Sequence, residues 1–192
     1  MSGYCIKAPY HEVHAHYHNE QYGFPLTAEH ELFERLCLEI FQAGLSWEIV
    51  LKKRPQMVKA FDKFNVNKVA AYKAADIKRL LADEGIIRNR LKVEAIIENA
   101  KRLIALRDIY KDPPLKGFSA FLSYHHPLTK PEWVKLFKKH FKFTGGEITG
   151  EFLMSIGYLP GSHAENCPVY KRLKKDYDVP WLNAQKKGFK YK

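Results

Sequence analysis

The chain has 192 residues, 46% apolar and 14% aromatic, with a formal net charge of +11. That length suits one domain with a real core, or two small lobes sharing one, and needs no disulfide scaffold. No apolar run approaches the roughly 18 residues of a membrane span, and the start, MSGYCIKAPYHEV, lacks the charged and apolar regions of a signal peptide. A cytoplasmic protein with no membrane partner is expected, its three cysteines serving as thiols or metal ligands. A charge this one-sided in so aromatic a chain points to a polyanionic partner; lysines that serve solubility alone are the bland alternative.

In chain order, the first 25 residues show neither helical nor strand period and read as an irregular arm pinned onto the body. Thr27 is a suitable N-cap, and Leu32, Phe33, Leu36, Ile40 and Ala43 form a helical stripe from Ala28 that ends at Gly44. Ser46 caps a helix from Trp47 to Lys53, and Pro55 opens another short one carrying Met57, Val58 and Phe61. Asn65 caps Val66 to Tyr72, and Ala74 to Ala82 follows with Ile77, Leu80 and Leu81 inward. The longest helix runs from about Asn89 to Tyr110, with Val93, Ile96, Ile97, Ala100 and Leu103 on one face, and Asp112-Pro113-Pro114 closes it. Three further helices carry Phe118 with Phe121 and Leu122, Pro131 through His140, and Glu147 to Ile156. Only Phe141 to Phe143 could extend. After Cys167-Pro168 a short helix from Val169 to Lys175 leads into a basic tail. The fold class is all-α, one compact unit over 1–192, with its weakest joint from Lys111 to Gly117.

Three groups of residues could carry chemistry. In the first, Glu39 is a carboxylate set among Leu36, Ile40 and Phe41, with Tyr17, Tyr22 and Trp47 as aromatic companions. Such a carboxylate either reaches solvent at a helix edge or points into a lined cavity, where rings and negative charge suit a flat cationic ligand. In the second, the turn Asp83-Glu84-Gly85-Ile86-Ile87 leads to the start of the longest helix beside Arg88, Arg90 and Lys92. Helix-start amides flanked by cations hold phosphate and position a nucleic-acid backbone without reading sequence; an ordinary hairpin with a solvated basic end is the alternative. In the third, Cys5 and His18 near one chain end, and His163 and Cys167 near the other, supply the two thiols and two imidazoles that tetrahedral zinc takes, although neither pair has a zinc-finger spacing. Cys37 reads as a small core hydrophobe.

Taken together, Cys5, Tyr17-His18, Tyr22-Gly23, Cys37-Leu-Glu39, Gln42-Ala-Gly-Leu-Ser-Trp47, Leu51-Lys-Lys-Arg54, Gly85-Ile-Ile-Arg-Asn-Arg90, and His163 with Cys167 resemble the 3-methyladenine DNA glycosylase I family. The resemblance covers most of the chain, and its specificity lies in the ordered combination. It implies the helix-hairpin-helix glycosylase fold. Residues 28–111 would form a helical core with the hairpin at about 76–106, and 1–27 plus 112–192 a subdomain pinned by one structural Zn2+ on Cys5, His18, His163 and Cys167. It also implies a monomer that excises 3-methyladenine from double-stranded alkylated DNA after flipping the base out of the stack. Tyr17, Tyr22 and Trp47 would hold the base, and Glu39 would be the catalytic carboxylate that accepts hydrogen bonds from its polar edge. Leu45 would fill the gap in the duplex. Gly85, Ile87, Arg88, Arg90 and Lys92 would hold backbone phosphate. No lysine stands at a nucleophile position, which implies excision without strand cleavage.

The chain departs from the family pattern at named places. Tyr22 replaces a tryptophan, His14 a tyrosine of some members, and Leu91 a glycine; the stretch between Tyr124 and Phe141 is shorter. The segment Phe143 to Met154 diverges most, and its Glu147 and Thr149 either line the pocket or begin a helix. A non-catalytic binder of alkylated or distorted DNA, and a plain zinc-stabilised helical domain, are the rival functions.

Overall fold

A computed structural model of the chain describes residues 3–111 and 114–191. The described residues form α-helices joined by short turns, with no strand among them. No helix among them is long and apolar enough to cross a membrane. In order these are α1 (Gly3–Lys7), α2 (Ala15–Glu20), α3 (Glu29–Gln42), α4 (Trp47–Ala60), α5 (Val66–Ala70), α6 (Ala74–Ala82), α7 (Arg90–Ile109), α8 (Gly117–His125), α9 (Lys130–His140), α10 (Gly146–Ser155), α11 (Pro168–Asp176) and α12 (Pro180–Lys186).

Helix α3 is the axis of the molecule, packing against α4, α7, α8 and α10. Leu32, Phe33, Leu36, Cys37, Leu38, Ile40 and Phe41 are fully buried, so the helix is covered around most of its circumference. Every residue from Arg35 to Phe41 is buried, so this part of the helix lies in the interior and Glu39 and Arg35 are carried inside with it. The exposed-edge alternative for Glu39 is thereby removed. Phe118 of α8 stacks on Phe152 of α10 with centroids 5.6 Å apart, extending the core beyond α3.

Several element boundaries differ from expectation. The N-terminal arm contains α1, α2 and a 3-10 turn rather than irregular chain. Those helices are too short to show an apolar period. Helix α3 starts after Ala28, with no side-chain cap from Thr27. Pro55 does not divide α4, which runs unbroken through it. One lost backbone hydrogen bond is outweighed by the continuous apolar face that includes Val50, Met57 and Ala60. Phe141 to Phe143 does not extend as a strand, Phe143 taking φ +61°. Helix α12 arises where a basic tail was expected, because Pro180 starts it and Trp181, Leu182 and Ala184 are buried. Residues Asp112 and Pro113 of the expected helix stop lie outside the described residues.

One clamp fixes where α3 ends. Lys92, in the first turn of α7, is buried, and its Nζ donates to the carbonyls of Phe41 at 2.8 Å and Ala43 at 2.5 Å. A cation on the terminal carbonyls of a helix is favoured by both hydrogen bonding and the helix dipole. We predict that Lys92→Met, which strands those carbonyls, lowers stability by about 1–3 kcal/mol in urea unfolding. An unchanged midpoint would show that the clamp carries no energy.

Candidate active site

Helix α3 delivers Glu39 to the inner wall of a cavity of about 330 Å³, lined by Tyr4, Tyr17, Tyr22, Glu39, Gln42, Trp47, Glu151, Gly161 and Ser162. The volume and the flat aromatic walls fit a planar heterocycle. Tyr17 and Trp47 meet edge to face with centroids 4.9 Å apart, Tyr17 and Tyr22 lie tilted at 5.6 Å, and Tyr4 meets Tyr22 edge-on at 5.9 Å. The sequence-predicted Tyr17, Tyr22, Glu39 and Trp47 therefore come together from α2, the turn after it, α3 and the start of α4.

Glu39 is only 4% exposed. No hydrogen bond or ion pair reaches its carboxyl from the described residues, so its unsatisfied oxygens belong to the cavity. Burial, and then the charge of Glu151, push its pKa up to about 8; Arg35, one turn earlier on α3, pulls it partly back. Arg35 is itself buried and committed elsewhere. Its Nη1 donates to the Tyr17 hydroxyl at 3.4 Å and to the carbonyls of Gln21 and Ser155 at 3.3 Å each, and its guanidinium lies 5.0 Å from the Tyr17 ring centroid. The Trp47 indole N–H is a second unspent group, buried with no acceptor; the Tyr4 hydroxyl approaches it without hydrogen-bond geometry.

Arg35, Tyr4 and Glu151 are site residues that sequence reasoning missed. Arg35 lies four residues before Glu39, a helical neighbour that could have been read from spacing. Tyr4 and Glu151 carried no local signal. In the divergent segment, Glu147 is exposed and pairs with Lys130, Thr149 is buried and bonds the Thr144 carbonyl, and Glu151 is the residue that faces the cavity.

Between α3 and α4 the chain turns through Gly44, at φ +82°, a conformation that glycine adopts without a Cβ penalty. Ser46 accepts from the Ile49 amide at 3.3 Å to cap α4, and Leu45 is left 39% exposed on the turn, beside the cavity wall made by Trp47.

The α6–α7 turn is built as a hairpin end. Gly85 does not take a positive φ; glycine is required there for space, because a Cβ would lie 2.4 Å from the Gln56 side chain. Its amide donates to Asp83, and Asn89 caps α7 by accepting from the Lys92 amide at 3.1 Å. Arg88 and Arg90 are exposed, in loose pairs with Glu84 and Glu94 at 3.5 and 3.4 Å, contacts that exchange readily for another anion. Ile87 has its side chain buried and offers its backbone to the turn. Lys92 is not where a phosphate contact needs it, because its ammonium points inward to the end of α3.

Next in sequence to the cavity residues Tyr4, Tyr17 and Ser162, the residues Cys5, His18 and His163 converge with Cys167, one ligand atom of each lying within 4.8 Å of the others. Three S···N separations are 3.8 Å, close to the roughly 3.6 Å edge of a tetrahedron with zinc–sulfur and zinc–nitrogen bonds of about 2.3 and 2.0 Å. The outward ring nitrogens are already engaged. His18 Nδ1 meets Asn19 at 2.8 Å and His163 Nε2 donates to the Tyr22 carbonyl at 2.7 Å, leaving His18 Nε2 and His163 Nδ1 for a metal. All four residues are buried, and this chemistry could hold one soft or borderline cation.

The pH dependence of stability follows from Glu39. Between its usual value near 4.5 and about 8 the folded state binds more protons than the unfolded chain, so stability falls as pH rises through that window. We predict that Glu39→Gln is as stable as the parent at pH 5 and more stable by on the order of a few kcal/mol at pH 9, measured by chemical unfolding. Parallel curves across that range would contradict a desolvated carboxyl.

The profile of the methyladenine glycosylase family matches residues 7–132. The DNA-3-methyladenine glycosylase of Haemophilus influenzae is 36% identical, the match spanning 81% of this chain and 91% of that protein. The DNA-3-methyladenine glycosylase 1 of Escherichia coli is 35% identical over 80% of this chain and 89% of its own. Among solved structures, the 3-methyladenine DNA glycosylase I of Staphylococcus aureus, described in terms of its 3-methyladenine recognition, superposes with a TM-score of 0.74 at 30% identity, over 83% of this chain and 92% of that one. The matched span contains Tyr17, Tyr22, Glu39 and Trp47. This chain belongs to the methyladenine glycosylase family.

Proposed function

We propose that the protein is a base-excision repair glycosylase that hydrolyses the N-glycosidic bond of 3-methyladenine in alkylated duplex DNA. The observation that carries this is the unpartnered, buried Glu39 in an aromatic cavity of base-sized volume. A pure phosphate binder has no use for it.

An adenine methylated at N3 is a cation, and its glycosidic bond is already weak. The electron pair of the breaking C1′–N9 bond leaves with the base and neutralises it, water adds to the oxocarbenium-like C1′ and loses a proton, and an abasic site remains. Little acid catalysis is needed, so binding and orientation are most of the task. Tyr17, Tyr22 and Trp47 sandwich the flipped base, and Glu39 accepts hydrogen bonds from its polar edge and favours its charge. Leu45, exposed on its turn, occupies the gap in the duplex. The backbone about Gly85 and Ile87, with Arg88 and Arg90, holds phosphate as a helix-hairpin-helix element, while Lys92 supports it from inside. No lysine side chain among the described residues lines the cavity, which supports hydrolysis without strand cleavage.

The Cys5, His18, His163 and Cys167 group fits a structural zinc with all four positions filled by protein. Bound there, the metal would tie the chain ends together and hold the segment bearing Tyr17 and Tyr22 against the cavity.

We expect chromatography of a methylated duplex incubated with the protein to show free 3-methyladenine above the spontaneous rate, and Glu39→Gln to reduce excision roughly 10–100-fold. Methylated DNA that is bound without base release would favour a non-catalytic binder. Elemental analysis should find about one zinc per chain, lost in Cys167→Ser with lower thermal stability; a metal-free native protein would sink the four-ligand site.

A further inference from the structure

Glu151 has no role in the excision step proposed for the cavity. It reaches the cavity from α10, as Glu39 does from α3, and its charge acts on the Glu39 carboxyl. Its Oε2 accepts a hydrogen bond from the Tyr22 hydroxyl at 3.0 Å. No lysine or arginine among the described residues pairs with it, and its Oε1 meets no donor there. The cavity thus holds two carboxyl groups. The guanidinium that acts on Glu39, that of Arg35, is engaged by Tyr17 and by the carbonyls of Gln21 and Ser155.

We propose that Glu151 is a second base-recognition residue, which with Glu39 makes this pocket select a cationic purine bearing an exocyclic amino group over neutral purines of the same shape. The proposal rests on the reading that the cavity receives a flipped base. Two carboxylates sharing a low-dielectric site repel each other, and the charge of Glu151 raises the affinity of Glu39 for a proton. A cation entering between them removes that repulsion and gains two attractions; a neutral base of equal shape gains neither. Ionised carboxylates only accept hydrogen bonds, so they suit the two N–H donors of an amino group and oppose a keto oxygen. Tyr22 fixes one oxygen of Glu151 and leaves the other for the ligand.

A proton held by Glu39 competes with the cation. Facing Glu39 are Arg35 from its own helix, Tyr4 from α1, Tyr17 from α2 with Arg54 acting on it, Tyr22 from the following turn, and Glu151 from α10. The phenols of Tyr4, Tyr17 and Tyr22 are all pushed upward by burial, so they stay neutral in the range where Glu39, at about 8, titrates. Cation binding near neutral pH therefore expels a proton.

The test is calorimetric binding of 3,9-dimethyladeninium, a permanent cation, and of neutral 9-methyladenine, between pH 5 and 10. Wild type should prefer the cation, bind it more tightly as pH rises towards 8, and release a proton at pH 7 in buffers of different ionisation enthalpy. Glu151→Gln should move the pH transition down by about one unit and cut the cation-to-neutral preference about tenfold. Glu151→Asp, which keeps the charge, should retain most of both. The inference is overturned if Glu151→Gln keeps the wild-type preference and transition, if Glu151→Asp falls with it, or if wild type releases no proton; the last outcome decides even should a variant not fold. Excision of 3-methyladenine by the wild type is measured alongside: its absence defeats the glycosylase reading, whereas normal excision with any of those outcomes defeats this inference alone.

Discussion

The desolvation of Glu39 is the constraint that the rest of the structure accommodates. An acidic side chain without a protein partner inside a core is unfavourable, and burial lifts its pKa to about 8. The stretch of helix that carries it, residues 35–41, is buried throughout and leaves no exposed face on which to relieve this, with α4, α7, α8 and α10 packed against α3. The unsatisfied acceptor is therefore held where it is by packing, and the energy is recoverable by a ligand that brings donors and positive charge. In the proposed function, stability is given up in the empty protein for selectivity in the filled one, the exchange commonly found at functional sites.

The surrounding architecture keeps that acceptor in register with two other surfaces. Lys92 ties the start of α7, and so the Gly85 to Arg90 hairpin, to the final carbonyls of α3. The next residues along α3's exit are the Gly44 turn with Leu45, followed by Trp47. A rigid connection thus runs from the proposed phosphate-holding turn to the proposed wedge and the wall of the base pocket. On the other side Arg35 joins α3 to Tyr17 and to the Ser155 carbonyl at the end of α10, setting the distance between the walls. The Tyr22 carbonyl accepts from His163, so the Cys/His group and the base pocket share a residue.

What was legible in the sequence followed from how local each signal was. Helices α5 and α7 were readable because apolar period and cap coincide, as at Asn65 and Asn89, whose side chains do cap, and α3 and α6 were readable from apolar period. Glu39 stood out as a charge at odds with its apolar neighbours, and the paired Cys and His residues announced themselves by type. The misses are residues whose meaning is tertiary. Pro55 has the same local chemistry whether or not packing carries a helix through it, and Lys92 looks like one more cation near a helix start until its Nζ is seen on the carbonyls of another helix. Tyr4 and Glu151 reach the cavity from distant chain segments, and nothing in their own neighbourhoods distinguishes them from Tyr10 or Glu147, which do not.

The protonation state of the Glu39 carboxyl can be observed directly. A carbon-13 NMR titration of the Glu39 side-chain carboxyl in the ligand-free protein, assigned through Glu39→Gln, should show a midpoint near 8, falling when a cationic purine is bound. A midpoint near 4.5, the usual value for a solvated glutamate, unmoved by that ligand, would contradict the desolvated acceptor on which the pocket's selectivity has been built.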